Sequence, residues 1–133
     1  MTSTGKLSSG KIASPPLVLV VDDSELSRLV VQETLERAGF RVMALESAFG
    51  FIKLVREQAP SLILLDVGLA SMNGTKLVEL GRQHAPRHTR IVLYSGREEG
   101  ALAQDVRDCG ANGFIHKSTT DQALVRAVRT FLS

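Results

Sequence analysis

Five polar side chains stand where short apolar runs of this sequence stop. Asp22 and Asp23 follow "LVLVV", Asp66 ends "SLILLD", Ser95 ends "RIVLYS" and Lys117 ends "GFIHK". If these runs are parallel strands of one sheet, their carboxyl ends share a rim. Open α/β sheets bind ligands outside that rim, near a topological switch point. Three carboxylates, a hydroxyl and an ammonium would then meet in one place. Two unit charges about 4 Å apart interact by roughly 4 kcal/mol at an effective dielectric of 20. Three carboxylates in contact therefore repel strongly, and one lysine offsets only part of it. A divalent cation would resolve the repulsion. The donors are hard oxygens, few in number, with room for water, which suits Mg²⁺.

Softer metals find few ligands here. Cys109 is the single cysteine, and there are three histidines. His84 and His88 flank Pro86, so no continuous helix can carry them as a chelating pair. They are expected to be exposed loop residues. His116 shares a strand face with Phe114 and is expected to pack or to make contacts rather than to ligate. Oxygen-ligated Mg²⁺ beside a carboxylate, a hydroxyl and a lysine is an arrangement for phosphoryl transfer. A carboxylate can attack phosphorus to form an aspartyl phosphate. The metal and the lysine neutralise charge on the equatorial oxygens, and the hydroxyl donates a hydrogen bond. Taken singly, each residue has a plainer role: a strand-end Asp caps a helix, Ser95 makes a turn, Lys117 is a solvated charge. The plainer roles do not account for five such placements at one end of one sheet.

The elements that must position these residues are legible as alternation. Strands are expected over 17–21, 40–45, 61–66, 90–95 and 113–117. Between them run helical patterns. Ser24 offers an N-cap, with Val30, Val31, Thr34, Leu35 and Ala38 at helical spacing and Gly39 as the stop. Ser47 is the expected cap of a second helix carrying Phe51, Ile52 and Val55 and ending near Pro60. Gly50 weakens that helix. A third covers 75–85 before Pro86, a fourth 98–109 before Gly110. A fifth starts at Thr120 and Asp121, with Leu124, Val125, Val128, Phe131 and Leu132 inward. Strands alternating with helices imply a parallel sheet covered on both faces, and near-continuous apolar strands agree. The fold class is thus a doubly wound α/β sheet of five strands with five helices.

The whole chain bounds the rest. Its 133 residues suit one domain able to fold without staples. With 16 basic and 14 acidic residues the net charge is only +2, and the signs are interspersed. A nucleic-acid domain usually shows a clustered basic stripe, so direct nucleic-acid binding is not expected. One cysteine excludes a disulfide framework, and a reducing, cytoplasmic setting is the natural expectation. Cys109 is expected to be a small core residue near a helix end. No apolar run approaches the ~18 residues of a membrane span. Residues 1–16, rich in Ser, Gly and Lys and closed by Pro15-Pro16, read as a disordered tail, leaving 17–133 as the domain.

The pieces "VVDDS", "LILLDVGLASMNG", "IVLYSG" and "GANGFIHKS", in this order, resemble the receiver domain of bacterial two-component response regulators. The resemblance covers 17–133. It implies a flavodoxin-like sheet of strand order 2-1-3-4-5. It implies Asp66 as phosphoacceptor, Asp23 as a direct Mg²⁺ ligand, Asp22 as a ligand or acting through water, and the Gly68 carbonyl as a further oxygen. Ser95 and Lys117 would bind phosphoryl oxygens, Phe114 would be the aromatic switch, and Gly74 would close the loop after the phosphoacceptor strand. Gly68 and Arg97 occupy positions that influence phosphoryl lifetime. Gly68 places no side chain over the phosphate, while Arg97 could reach in. Ala70 and Ser118 stand where the family usually has Pro. The implied partners are a histidine kinase or histidine phosphotransfer protein upstream. Downstream, a protein target would meet the surface of the fourth helix, fifth strand and fifth helix. A monomer or weak dimer without independent substrate turnover is expected. The chain stops at "TFLS", where the last helix should end. The expected output is therefore protein–protein binding, unless this is an excised receiver.

Two other classes fit the sequence less well. A pseudo-receiver, an interaction module never phosphorylated, usually lacks an acidic residue, the hydroxyl or the lysine, and all are present here. A nucleotide-binding enzyme would need a glycine-rich loop after the first strand, where "DDSEL" stands. A phosphatase with an aspartate nucleophile there would want a second Asp where Glu25 follows Asp23-Ser24.

Overall fold

In the computed structural model, which describes residues 14–69 and 73–133, the apolar runs become the strands of one parallel sheet. These are β1 (Leu17–Val21), β2 (Arg41–Leu45), β3 (Leu62–Leu65), β4 (Arg90–Ser95) and β5 (Gly113–His116), in the order β2-β1-β3-β4-β5. Five helices connect and cover them: α1 (Glu25–Arg37), α2 (Phe51–Gln58), α3 (Gly74–His84), α4 (Glu99–Cys109) and α5 (Asp121–Leu132). Successive strand residues point to opposite faces, and the two cores divide accordingly. Val18, Val20, Leu62, Leu64, Val92, Tyr94 and Ile115 pack on one face with Val31 and Leu35 of α1 and Leu124 and Val128 of α5. Leu19, Val21, Ile63, Leu65, Ile91 and Leu93 pack on the other with Phe51 and Val55 of α2 and Leu77 and Val78 of α3. All residues of β1 and β3 are buried. Each such Leu or Val contributes about 1.5–3 kcal/mol relative to an exposed side chain, so the two strands that end at Asp22 and Asp66 are the best anchored.

Register brings the chemistry together. Val21 pairs with Leu65, Leu65 with Leu93, and Ser95 with His116. Asp22 and Asp66 are each the next residue after a matched pair, so they emerge side by side. Lys117 follows His116 in the same way. The ladder continues past the strands: the Asp66 amide donates to the Val21 carbonyl at 2.9 Å, and the Lys117 amide to the Ser95 carbonyl at 2.9 Å.

Beyond one-residue shifts at strand ends, local details differ from the sequence expectations at three places. Ser47 does not cap α2. Its hydroxyl accepts from the Phe49 amide at 3.2 Å, closing a turn two residues on. The N-cap is Gly50, at φ 82°, with no side-chain hydrogen bond. Gly74 is the first residue of α3 rather than a loop residue, because the Asn73 side chain caps it by accepting from the Thr75 amide. His84 is the last residue of α3 and half-buried, not an exposed loop residue, since Pro86 lies beyond the helix end rather than inside it. Cys109 meets its expectation: it ends α4, half-buried and packed on the edge of the second core.

The tail expectation falls mostly on residues 1–13, and the Ala70 substitution on residue 70; both lie outside the described residues. The carbonyls of Pro15 and Pro16 accept hydrogen bonds from Arg41, at 2.9 and 3.1 Å. No described helix is long and apolar enough to cross a membrane.

Candidate functional site

Asp22 leaves β1 fully buried, whereas Asp23, one residue on, is exposed. The backbone turns here because Ser24 caps α1, its hydroxyl accepting from the Ser27 amide, while Asp22 Oδ1 accepts from the Ser24 amide at 2.9 Å. Arg28, one turn into α1, donates to the Asp22 carbonyl at 2.7 Å. Across the rim Asp66 is nearly buried, and its Oδ1 accepts from the Gly68 amide at 3.0 Å. One oxygen from each of Asp22, Asp23 and Asp66 falls within a 4.8 Å cluster.

Lys117 sits between two of these carboxylates. Its Nζ donates to Asp66 Oδ2 at 3.1 Å and lies 2.8 Å from Asp22 Oδ2. The second contact is short but poorly directed. Judged by its angles, Asp22 Oδ2 has no hydrogen-bond partner and is buried. The contact is an ion pair. Burial penalises the Asp22 charge, but Lys117, the Ser24 amide and Ser27 outweigh it and hold the carboxyl below its ordinary value. Burial likewise works against the Lys117 charge, and Asp22 and Asp66 overcome it, raising the ammonium above its ordinary value. Both charges are thus kept. The pocket remains acidic by one net charge from Asp22, Asp66 and Lys117, with Asp23 beside it.

This donor set fits a small hard cation. The candidate ligand atoms are carboxylate oxygens, two of the three carboxylates are buried, and Asp23 opens to water. His84 and His88 belong to no cluster of metal-ligating groups among the described residues.

Ser95 closes β4, buried, and its Oγ accepts from the Arg97 amide at 3.2 Å. Accepting that bond leaves the hydroxyl proton for another acceptor. Phe114 is half-buried on β5 and packs on the α2–α4 side of the sheet. Gly68 is exposed at the mouth of the pocket, and a Cβ built on it would rest 3.7 Å from Asp66 Oδ1. Arg97 leans away from the pocket toward Asp105 of α4, Nε to Oδ2 at 3.0 Å.

Two arrangements were not legible beforehand. The turn after β5 does without proline. His116 Nδ1 accepts from the Ser118 amide at 3.0 Å and lies 2.7 Å from Ser118 Oγ, and the Thr119 amide donates to the His116 carbonyl at 3.0 Å. Every described peptide bond is trans, Lys117–Ser118 included, as the ~2.5–4 kcal/mol cost of a cis bond before a non-proline residue favours. His116 is therefore a turn-former that helps deliver Lys117. The Arg28 and Arg97–Asp105 contacts join different elements and carry no local sequence signal.

Tyr94 lies under the site, its ring centroid 5.8 Å from Lys117 Nζ. Burial raises its phenol above the ordinary 10.0; Lys117 opposes this, and Asp22 and Asp121 add to it. The native state then holds the proton more tightly than the unfolded chain. The contribution of Tyr94 to stability should be full below the unfolded value and be lost as pH rises through it toward the folded value. Tyr94 is the only tyrosine, so tyrosinate absorbance reads it alone. The native midpoint should exceed the unfolded one, and a native midpoint at or below it would contradict the burial argument.

Comparison with known proteins agrees with this geometry. The family model described as the response regulator receiver domain matches residues 18–129. The virulence-factor transcription regulator BvgA of Bordetella pertussis is 25% identical over 87% of this chain, which spans only 56% of BvgA. The chain thus covers little more than half the length of the first relatives it matches. The chemotaxis protein CheY of Bacillus subtilis is 27% identical over 87% of this chain and 97% of its own length. Among solved structures, the Vibrio cholerae chemotaxis protein CheY4 superposes with a TM-score of 0.82 at 25% identity, covering 89% of this chain and 99% of its own.

Proposed function

We propose, from the premise that this chain belongs to the response regulator receiver domain family, that it is a phosphoacceptor switch in two-component signalling. Asp66 takes a phosphoryl group from the phosphohistidine of a histidine kinase or phosphotransfer protein. An Asp66 oxygen bonds to phosphorus, the phosphorus–nitrogen bond breaks, and the electron pair leaves with the histidine. The observation that carries this reading is the cluster of Asp22, Asp23 and Asp66 oxygens within 4.8 Å with Lys117 bridging Asp22 and Asp66.

Mg²⁺ would be held by Asp23 directly, by Asp22 directly or through water, by Asp66, and by the Gly68 carbonyl. Bound there, it supplies positive charge to the phosphoryl oxygens and to the three carboxylates. Lys117 pairs with a phosphoryl oxygen once the Asp66 oxygen it now holds is esterified. Ser95 donates its hydroxyl proton to another. The movement of Ser95 draws on the end of β4, and Phe114 on β5, in register with Leu93 two residues before Ser95, repacks. The surface of α4, β5 and α5 changes as a result, a two-state element biased by a local charge. A target protein meets that surface.

The donor side is open as well. Leu26, Leu29 and Val30 stand 72, 58 and 42% exposed on α1, the helix that begins at the acidic pair. Spaced by three and four, they make one apolar strip, suited to a helical partner that brings its phosphohistidine to the rim.

Incubation with a small phosphodonor should add one phosphoryl group per chain when Mg²⁺ is present and none after chelation. Asp66→Asn should abolish the addition. An interaction module on the same fold, never phosphorylated, would take up nothing under either condition.

A further inference from the structure

We infer that His116 is a positioning residue for phosphoryl uptake: its unprotonated Nδ1, as a hydrogen-bond acceptor, fixes the direction in which Lys117 leaves the sheet. The inference rests on the reading of Asp66 as phosphoacceptor. Residues 116–119 form a turn. The Thr119 amide donates to the His116 carbonyl at 3.0 Å, which puts Lys117 and Ser118 at its centre. Inside that turn the Ser118 amide donates to His116 Nδ1 at 3.0 Å. A proline at 118 would have no amide to give. Asn and Asp ordinarily make this bond, from the first position of a turn to the amide two residues on. Here an imidazole takes their place. An amide can only donate, so Nδ1 carries no proton and the ring proton stands on Nε2. The Ser118 hydroxyl, 2.7 Å from the same nitrogen, must then donate to it as well.

Both bonds to His116 close over Lys117. Before them, the Lys117 amide is tied to the Ser95 carbonyl at 2.9 Å. The backbone of Lys117 is thus held on both sides, and its side chain starts from there toward two carboxylates. Nζ lies 3.1 Å from Asp66 Oδ2 and 2.8 Å from Asp22 Oδ2. A long, flexible stem magnifies any error in its starting direction. Functional groups must be held within about 0.5 Å or 10–20° of the productive geometry. β5 is the edge strand of the sheet, so no further strand steadies its end. His116 is half-buried and Ser118 exposed, so loss of the bond costs the fold little, because water can satisfy the Ser118 amide. What is lost is the restraint on Lys117.

The test replaces His116 with two residues of similar shape that differ in the acceptor. In Asn, Oδ1 stands as many bonds from Cα as Nδ1 does in His; in Leu a methyl group stands there. Both lack the rest of the ring, so whatever else it touches is lost equally. Uptake is measured with phosphoramidate and Mg²⁺, well below the unfolding midpoint. His116→Leu should slow uptake by about threefold to tenfold, short of the roughly hundredfold that a 1 Å misplacement can cost, and His116→Asn should stay within about twofold of wild type. In a Lys117→Met background, with enough phosphodonor for measurable labelling, the two variants should label at the same rate. Imidazole nitrogen shifts of the wild type should place the His116 proton on Nε2. Equal uptake in His116→Leu and His116→Asn overturns the inference, even where their unfolding midpoints differ, since His116 would then serve the turn without influence on Lys117. A gap that persists without the Lys117 ammonium overturns it too, as does a ring proton on Nδ1. A wild-type chain that takes up no phosphoryl group, with its tautomer as stated, overturns the phosphoacceptor reading itself, and this inference with it.

Discussion

Lys117→Met is expected to lower the unfolding free energy by about 1–3 kcal/mol in the absence of divalent cations, because it leaves a buried carboxylate without its counter-charge. Breaking a fully buried pair typically costs about 3–5 kcal/mol. The smaller figure applies here because Lys117 remains 26% exposed and Asp22 keeps the Ser24 amide. Methionine preserves the apolar stem that Lys117 contributes, so the loss reports charge rather than packing. The signature is cation dependence. Mg²⁺ supplies the missing positive charge, so the deficit measured by denaturant unfolding should narrow as Mg²⁺ is added. A deficit that stays the same with and without Mg²⁺ would contradict the account of Lys117 as counter-charge to these carboxylates. Phosphoryl uptake should fall as well, since no other described ammonium approaches Asp66 as closely.

Gly74→Ala should be the most damaging single-methyl change near the site. A Cβ at that position would lie 2.6 Å from the Asp66 carbonyl oxygen and 2.6 Å from Val67 Cα. Both are backbone atoms, and the Gly74 amide already bonds the Val67 carbonyl at 3.2 Å. Neither neighbour can yield without moving the end of β3, so the cost is roughly 1–3 kcal/mol, as for other overpacked positions. The same movement displaces the Asp66 carboxylate. Phosphoryl uptake should slow about tenfold or more, since a shift of about 1 Å in reacting groups can cost roughly a hundredfold. Gly68→Ala is the control for stability. Its Cβ would rest 3.7 Å from Asp66 Oδ1, an ordinary contact, so its unfolding midpoint should stay near wild type. Equal midpoints for the two variants would contradict the packing argument at Gly74.

These two changes also mark what a sequence can and cannot convey about this molecule. The strands were legible because both faces of β1 and β3 are covered, which makes them continuous apolar runs. Parallel pairing then places Asp22, Asp66, Ser95 and Lys117 at one rim with no further information, and register does the rest. Helix starts at Ser24 and Thr120 were legible because a hydroxyl can satisfy a free amide. The same rule misled at Ser47, where the hydroxyl closed a turn and a left-handed glycine opened the helix. What stayed hidden depends on side chains meeting across elements. Lys117 reaching both Asp22 and Asp66, Arg97 pairing with Asp105, and His116 replacing proline in its own turn are choices among rotamers, which spacing does not encode. The closeness of Gly74 to the Asp66 backbone is hidden for the same reason.

The central claim is that a buried strand end, one bridging lysine and an acidic pair prepare Asp66 to hold a phosphoryl group. The most direct measurement is to load the chain with a small phosphodonor and Mg²⁺, trap the acyl phosphate by reduction, and locate the modified residue by peptide mass. The modification is predicted at Asp66, absent after chelation of Mg²⁺. Modification of another residue, or none in the presence of Mg²⁺, would contradict the account.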